Sequence, residues 1–387
     1  MNAYFKTKKV GIILLIGILL VTPIQATSEP QKIGSKGTLL MESDSKRVLY
    51  EKHGQEEMPM ASTTKIMTCL LALEKGNLED VVTVSKRASR APKVKLGLRE
   101  GEKQKLEDLL YSLMMESHND SAVAVAEHIG GSVETFCEMM TEKAKALGAN
   151  HTSFKTPNGL DAEGHYTTPY DLALITSYAI DNPQFIKITN TLDKCIPSEP
   201  LEGSKAHTLV NKNRFIREYP GAIGVKTGYT SKAGHCFVGA ADREGMQLIG
   251  VALGAGCDKA AKTRKYTDVK KMIDYGYKNY KKYELKEQDA TMGTVHIKDG
   301  KEDQVTVTLN QAIILPLSEQ EKETVTLKVT LPELLTAPIA EEQVAGKVEV
   351  VCEDKILQST ELYVEKAIDK ATLWDKAKKL FNKFTEK

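Results

Sequence analysis

The sequence predicts an α+β domain followed by a small all-β domain and a C-terminal amphipathic helix. Three observations carry this. Apolar residues recur at helical spacing through the middle of the chain, with strand-like patterns on both sides of them. From about Asp289 the pattern changes to alternation with period two. The last residues form a basic stripe with one apolar face. At 387 residues the chain also exceeds one typical domain.

In chain order, Lys6, Lys8 and Lys9 precede an apolar run from Val10 to Val21, then Pro23 and the small residues around Ala26-Thr27-Ser28. This is the pattern of a secretory signal peptide, and the run is short for a bilayer span, so residues 1–28 are expected to be a leader. Gly37 to Tyr50 reads as a hairpin turning at Ser43-Asp44-Ser45-Lys46. A helix starts near Ser62, with Ile66, Cys69, Leu70 and Leu73 on one face and Gly76 as its stop. Further helices are expected over Lys105–Met115, Asp120–Ile129 and Val133–Leu147. Thr168-Pro169-Tyr170-Asp171 opens another, with Thr168 as N-cap, Pro169 at the first position and Asp171 completing a capping-box-like pair. His235–Ala241 and Met246–Leu253 flank the turn Asp242-Arg243-Glu244-Gly245 as a second hairpin, and a helix follows near Lys262–Tyr280. Helices enclosed by strands from both chain ends suggest one sheet shared by those ends, in a domain spanning 29–284.

Residues 285–365 read as the all-β domain, through runs such as Val305–Leu309 and Val325–Val329. Over 366–387, Ile368, Ala371, Trp374, Ala377, Phe381 and Phe384 form an apolar stripe beside many lysines. That pattern suits a helix lying in a membrane interface; packing against the β-domain is the alternative. A formal net charge of +1 argues against nucleic acid as a partner. The six cysteines are widely spaced without CxxC, and Cys69 and Cys137 fall on apolar helix positions, so mostly unpaired cysteines are expected. The eight histidines show no metal-ligand spacing, and neither a metal nor another cofactor is expected.

Three short motifs occur in order: Ser62-Thr63-Thr64-Lys65, Ser117-His118-Asn119 and Lys226-Thr227-Gly228. Ser62 and Lys65, three apart at a helix start, project toward one point. A serine hydroxyl needs a base to become a nucleophile, and a lysine serves if burial or a neighbouring cation lowers its pKa. Lys226 is the candidate cation. Amides at the helix start and on the strand after Lys226 suit a developing oxyanion. Each motif alone is weak: Ser62 alone reads as a helix cap, the second as an inter-helix loop, the third as a strand end. Together and in this order they point to serine acyl-transfer chemistry.

On these residues the chain resembles the low-molecular-weight penicillin-binding proteins of the D-alanyl-D-alanine carboxypeptidase type. The resemblance extends over Pro59–Thr68, over Asn158-Gly159-Leu160-Asp161 with His165 and Thr168–Asp171, over Lys226–Thr230 with Ala233-Gly234-His235, and over Leu335-Thr336-Ala337-Pro338. It implies a β-lactamase/transpeptidase-like first domain, an antiparallel sheet with a helical subdomain. It implies Ser62 as the acylated nucleophile, Lys65 as general base, and Ser117 and Asn119 relaying protons and holding the substrate amide. Lys226, Thr227 and Thr230 would bind a terminal carboxylate beside Gly228, with the amides of Ser62 and Tyr229 as oxyanion hole. The implied substrate is the peptidoglycan stem pentapeptide, the implied inhibitors are β-lactams, and the implied place is the outer face of the cytoplasmic membrane. His118 departs from the Gly common at the centre of the second motif, and its side chain is expected to stay out of the site. A β-lactamase, a transpeptidase or endopeptidase, and a silent wall-binding module are the alternatives. The β-domain and basic tail count against the first, and the intact motif residues against the last.

Overall fold

The computed structural model describes residues 29–30, 32–197 and 206–378. The expected leader, residues 1–28, lies outside them, as does the C-terminal part of the expected final helix. Strands β1 (Gly37–Glu42) and β2 (Val48–Lys52) form the first antiparallel hairpin. The chain then builds a group of helices: α1 (Lys65–Lys75), α2 (Leu106–Met115), α3 (Asn119–Gly130), α4 (Val133–Ala146) and α5 (Pro169–Ile180). It returns to the sheet through β3 (Ala222–Thr230), β4 (Gly234–Arg243) and β5 (Met246–Leu253), and ends this module with α6 (Ala261–Asn279). The sheet order is β2-β1-β5-β4-β3, so β1 pairs antiparallel with β5 and the two chain ends do share one sheet.

Both faces of that sheet are covered. Successive side chains of a strand point to opposite faces. In β1, Leu39 and Met41 join the core formed with the helices, while Leu40 joins the core under α6 with Phe237, Leu248, Val269 and Ile273. Sheet and helices therefore behave as layers that bury each other.

Two local readings are corrected. Ser62 lies in a 3₁₀ turn, Ala61–Thr64, and α1 begins only at Lys65. At Thr168 half of the capping box forms: its hydroxyl accepts from the Asp171 amide at 3.0 Å. The Asp171 carboxylate instead accepts from the His151 amide and the Thr152 hydroxyl, both at 2.7 Å, so it ties α5 to a distant loop.

Beyond α6 the chain enters β6 (Lys281–Lys286), across the expected junction at 284/285, and β6 pairs with β9 (Ile313–Leu317). Six strands make the second sheet: β7 (Thr291–Lys298), β8 (Gln304–Thr308), β10 (Thr326–Thr330), β11 (Leu334–Thr336), β12 (Val344–Cys352) and β13 (Lys355–Val364), in the order β10-β12-β13-β8-β7-β11. Val295, Val307, Val348 and Leu362 lead its core. Arg47, in the turn between β1 and β2, reaches the Pro316 carbonyl and the Glu321 carboxylate, joining the modules.

The expected helix over 366–387 starts later than its apolar stripe suggests. Ile368 exchanges backbone hydrogen bonds with Ile339 and is 2% exposed in the β-module core. Residues 373–378 are helical, capped by Thr372, whose hydroxyl accepts from the Asp375 amide while its own amide donates to the Asp375 carboxylate. Among the described residues no helix is long and apolar enough to cross a membrane. All six cysteines are unpaired, and four of them are buried.

Candidate active site

Ser62 lines a cavity of about 570 Å³ between the helices and the edge strand β3. Lys65 lies beneath it, fully buried. Its Nζ donates to the Ser62 Oγ at 3.1 Å, the Asn119 Oδ1 at 2.9 Å and the Asn158 carbonyl at 2.6 Å. The Ser62 hydroxyl donates to the same Asn158 carbonyl at 3.2 Å. None of the three oxygens around Lys65 is a carboxylate. Burial, and then the Lys226 charge, hold its pKa well below the ordinary lysine range. A neutral amine can accept a proton from serine, which an ammonium cannot.

Lys226 is also buried, and its pKa falls to about 7, first through burial and then through Lys265. Its Nζ donates to the Thr227 carbonyl at 2.9 Å. Next to it Gly228 is required by space: a Cβ there would lie 2.8 Å from the Ser62 amide nitrogen and 3.0 Å from the Ala61 Cβ. Strand β3 thus presses its backbone against the turn that carries Ser62. Gly159, at a φ of +82°, does the same from the other side, where a Cβ would lie 2.0 Å from the Ala61 carbonyl oxygen. Thr227, Gly228, Tyr229 and Thr230 line the cavity, and Thr230 donates to the Asp161 carboxylate at 2.9 Å.

The second motif is brought in only partly. Asn119 bonds Lys65 and donates to the carbonyls of Pro92 and Lys93, both at 3.2 Å. Ser117 lines the cavity in a left-handed conformation, φ +68°, outside the Lys65 hydrogen-bond network. The His118 side chain is turned into the helices. Its Nδ1 meets the Ser112 hydroxyl at 2.9 Å, and burial lowers its pKa to about 4. That accounts for a bulky residue in the middle of the motif.

Sequence reasoning missed two further parts. Asp120, fully buried, accepts from the amides of Leu96, Gly97 and Leu98 at 2.8–3.1 Å and so clamps the loop whose Lys93 and Val94 line the cavity. In sequence it reads only as an acidic residue in a helix's first turn. The Asn158 carbonyl, shared by Ser62 and Lys65, has no side-chain signal at all. Its segment is held by Thr68 on the Pro157 carbonyl at 2.6 Å, and His165 accepts from the Lys155 amide at 3.0 Å.

A serine hydroxyl held by a buried lysine amine beside a cavity is the arrangement that a serine hydrolase with lysine in place of histidine would need. Known proteins narrow the class. The D-alanyl-D-alanine carboxypeptidase model, peptidase family S11, matches residues 24–257, and the C-terminal domain of penicillin-binding protein 5 matches residues 280–370. The D-alanyl-D-alanine carboxypeptidase DacF of Bacillus subtilis is 34% identical over 372 residues, covering 92% of this chain and 94% of that protein. DacC of Escherichia coli is 28% identical over 375 residues, covering 91% and 89%. The crystal structure of penicillin-binding protein 5 from Haemophilus influenzae superposes with a TM-score of 0.76 at 27% identity, covering 89% of this chain and all of that one. The chain belongs to the D-alanyl-D-alanine carboxypeptidase family of serine peptidases.

Proposed function

We propose that the chain removes the terminal D-alanine from peptidoglycan stem pentapeptides through an acyl-enzyme on Ser62. The observation that carries this is the Lys65 amine, buried, depressed in pKa and 3.1 Å from the Ser62 Oγ. Ser62 Oγ attacks the carbonyl carbon of the penultimate D-alanine as its proton passes to Lys65. The tetrahedral intermediate collapses, the C–N bond breaks, and the leaving amine of the terminal D-alanine takes up a proton. Water then attacks the ester, releasing the shortened peptide and free Ser62. Asn119 holds Lys65 and the substrate amide, Ser117 relays a proton to the leaving amine, and Lys226, Thr227 and Thr230 receive the carboxylate end. The amides of Ser62 and Tyr229 donate to the oxyanion; the fit of Gly228 against the Ser62 amide supports that pairing. A β-lactam ring, a strained amide, acylates the same serine.

Labelling with a fluorescent penicillin tests the site. Wild type labels and Ser62→Ala does not; equal labelling of both would sink the assignment. Release of D-alanine from a pentapeptide separates carboxypeptidase from β-lactamase.

The same reading divides the chain into leader 1–28, catalytic domain 29–284, β-domain 285–365 and a membrane-surface helix within 366–387, with the mature protein at the outer face of the cytoplasmic membrane. Exposure of Leu373 and Trp374, 89% and 77%, supports an interfacial helix beginning past Ile368. Deleting residues 373–387, which leaves the packed Ile368 in place, should release the mature protein from membranes. Unchanged fractionation counts against anchoring.

A further inference from the structure

A second cavity, of about 420 Å³, lies against the catalytic one and takes no part in acylation. Two chain segments separate them. In the first, Lys93 and Val94 face the cavity of Ser62 while Pro92 faces the second cavity. In the other, Gly159 faces the first cavity while Pro157 and Asn158 face the second. Leu160 lines both, so the two meet at its side chain. The floor of the second cavity is apolar, with Ala91, Val123 and Val133 all buried. Its rim is cationic: Arg87, Arg90 and Lys155 line it, and no carboxylate does. Arg87 is already paired with Glu134 at 2.9 Å. Arg90 and Lys155 are exposed, and among the described residues neither forms an ion pair.

The position of this cavity indicates what it would receive. Asn119, which holds the substrate amide in the reading above, donates to the carbonyls of Pro92 and Lys93. With the terminal carboxylate at Lys226 and Thr230, the acyl side of the stem passes Asn119 and leaves beside Pro92 and Leu160. The second residue of a stem peptide is a glutamate joined through its side-chain carboxyl, which leaves its α-carboxylate free. In an extended chain, at about 3.3–3.6 Å per residue, that carboxylate lies roughly 10 Å back from the scissile carbonyl. We propose that Arg90 and Lys155 bind this α-carboxylate, so that the cavity behind Asn158 is the subsite that reads the second stem residue. The assignment rests on the carboxypeptidase reading above. It makes the enzyme distinguish a stem whose glutamate carboxylate is free from one in which it is a carboxamide. Both cations are exposed, so the discrimination is strongest at low ionic strength.

The test compares two pentapeptides ending in D-alanyl-D-alanine, one with the free α-carboxylate on the second residue and one with the carboxamide there, by release of D-alanine. Wild type should favour the free acid at low salt and lose much of that preference at high salt. The double variant Arg90→Met/Lys155→Met should raise KM for the acid by roughly 3- to 20-fold, the combined range of two exposed ion pairs, with little change for the amide. Lys155→Glu should reverse the preference. The rate of labelling by penicillin, which carries no stem, should stay at the wild-type value in each variant. An unchanged acid-to-amide ratio overturns the proposal, as does an equal loss on both peptides or a matching loss of penicillin labelling. If wild type releases D-alanine from neither peptide, the carboxypeptidase reading itself has failed, and this assignment falls with it.

Discussion

The two modules bury polar groups in opposite ways. In the β-module only Ser318, Glu349 and Thr360 are buried polar residues, and each is answered within three positions of itself: Ser318 caps the short helix Glu319–Thr324 through the Glu321 amide, Glu349 pairs with Lys347, and Thr360 accepts from Gln358. In the first module the buried Lys65, Asn119, Asp120 and His118 bond to partners up to 93 positions away, and several of these bonds converge on one cavity. Local satisfaction of a buried polar group is what secondary structure needs anyway. Long-range satisfaction around a lysine that has lost its ordinary basicity is not, because an apolar residue would pack there at lower cost. The contrast separates a scaffold core from a site.

The sharpest way to break this contrast is Lys65→Met, which keeps the volume and removes the amine. Acylation by penicillin should fall about a thousandfold or more while the folded state survives, read by labelling rate and by thermal unfolding. A variant that still labels at wild-type rate would remove Lys65 from the chemistry. The mirror experiment is Leu362→Ala in the β-module, at a residue with no exposed surface. It should cost about 2–5 kcal/mol of that module's stability in denaturant unfolding, with kcat/KM unchanged. Asp120→Asn comes next. It removes the charge that receives three loop amides, and should cost about 2–3 kcal/mol of stability and slow acylation by releasing Lys93 and Val94. Loss of stability alone, with acylation untouched, would make Asp120 scaffold rather than site.

The smallest expected effect is a pH slope. His118 and His165 both fall from 6.5 to about 4 through burial. Because the folded pKa lies below the unfolded one, the unfolded chain takes up these protons first. The stability they contribute is complete above pH 6.5 and drains away as pH falls toward 4. His165→Gln should flatten part of that slope in unfolding midpoints measured across the window, and an unchanged slope would assign it to other groups.

Much of this was legible in the sequence, for reasons visible at single residues. The helix starting at Val133 and the hairpin around Asp242–Gly245 follow from periodicity and turn chemistry, which are local. Ser62, Lys65, Asn119 and Gly228 were legible because their motifs are short and ordered. Asp120 was not, since its function lies in amides some 22 to 24 positions earlier in the chain. Lys265, which lines the cavity from α6 and depresses Lys226, was hidden among the charges of a basic helix. Ile368 was assigned to the terminal stripe because a single apolar residue fits a helical period and a strand bridge equally well. Only its pairing with Ile339 decides between them.

The Asn158 carbonyl carries a consequence for heredity. It holds both Ser62 and Lys65, yet it belongs to the main chain, so every codon at position 158 encodes it. A lineage under antibiotic pressure has no single-base route to deleting that oxygen. The accessible route is to move it, through the residues that pin its segment, such as Thr68 and His165. Variation that alters drug sensitivity without touching a motif residue is expected to gather there.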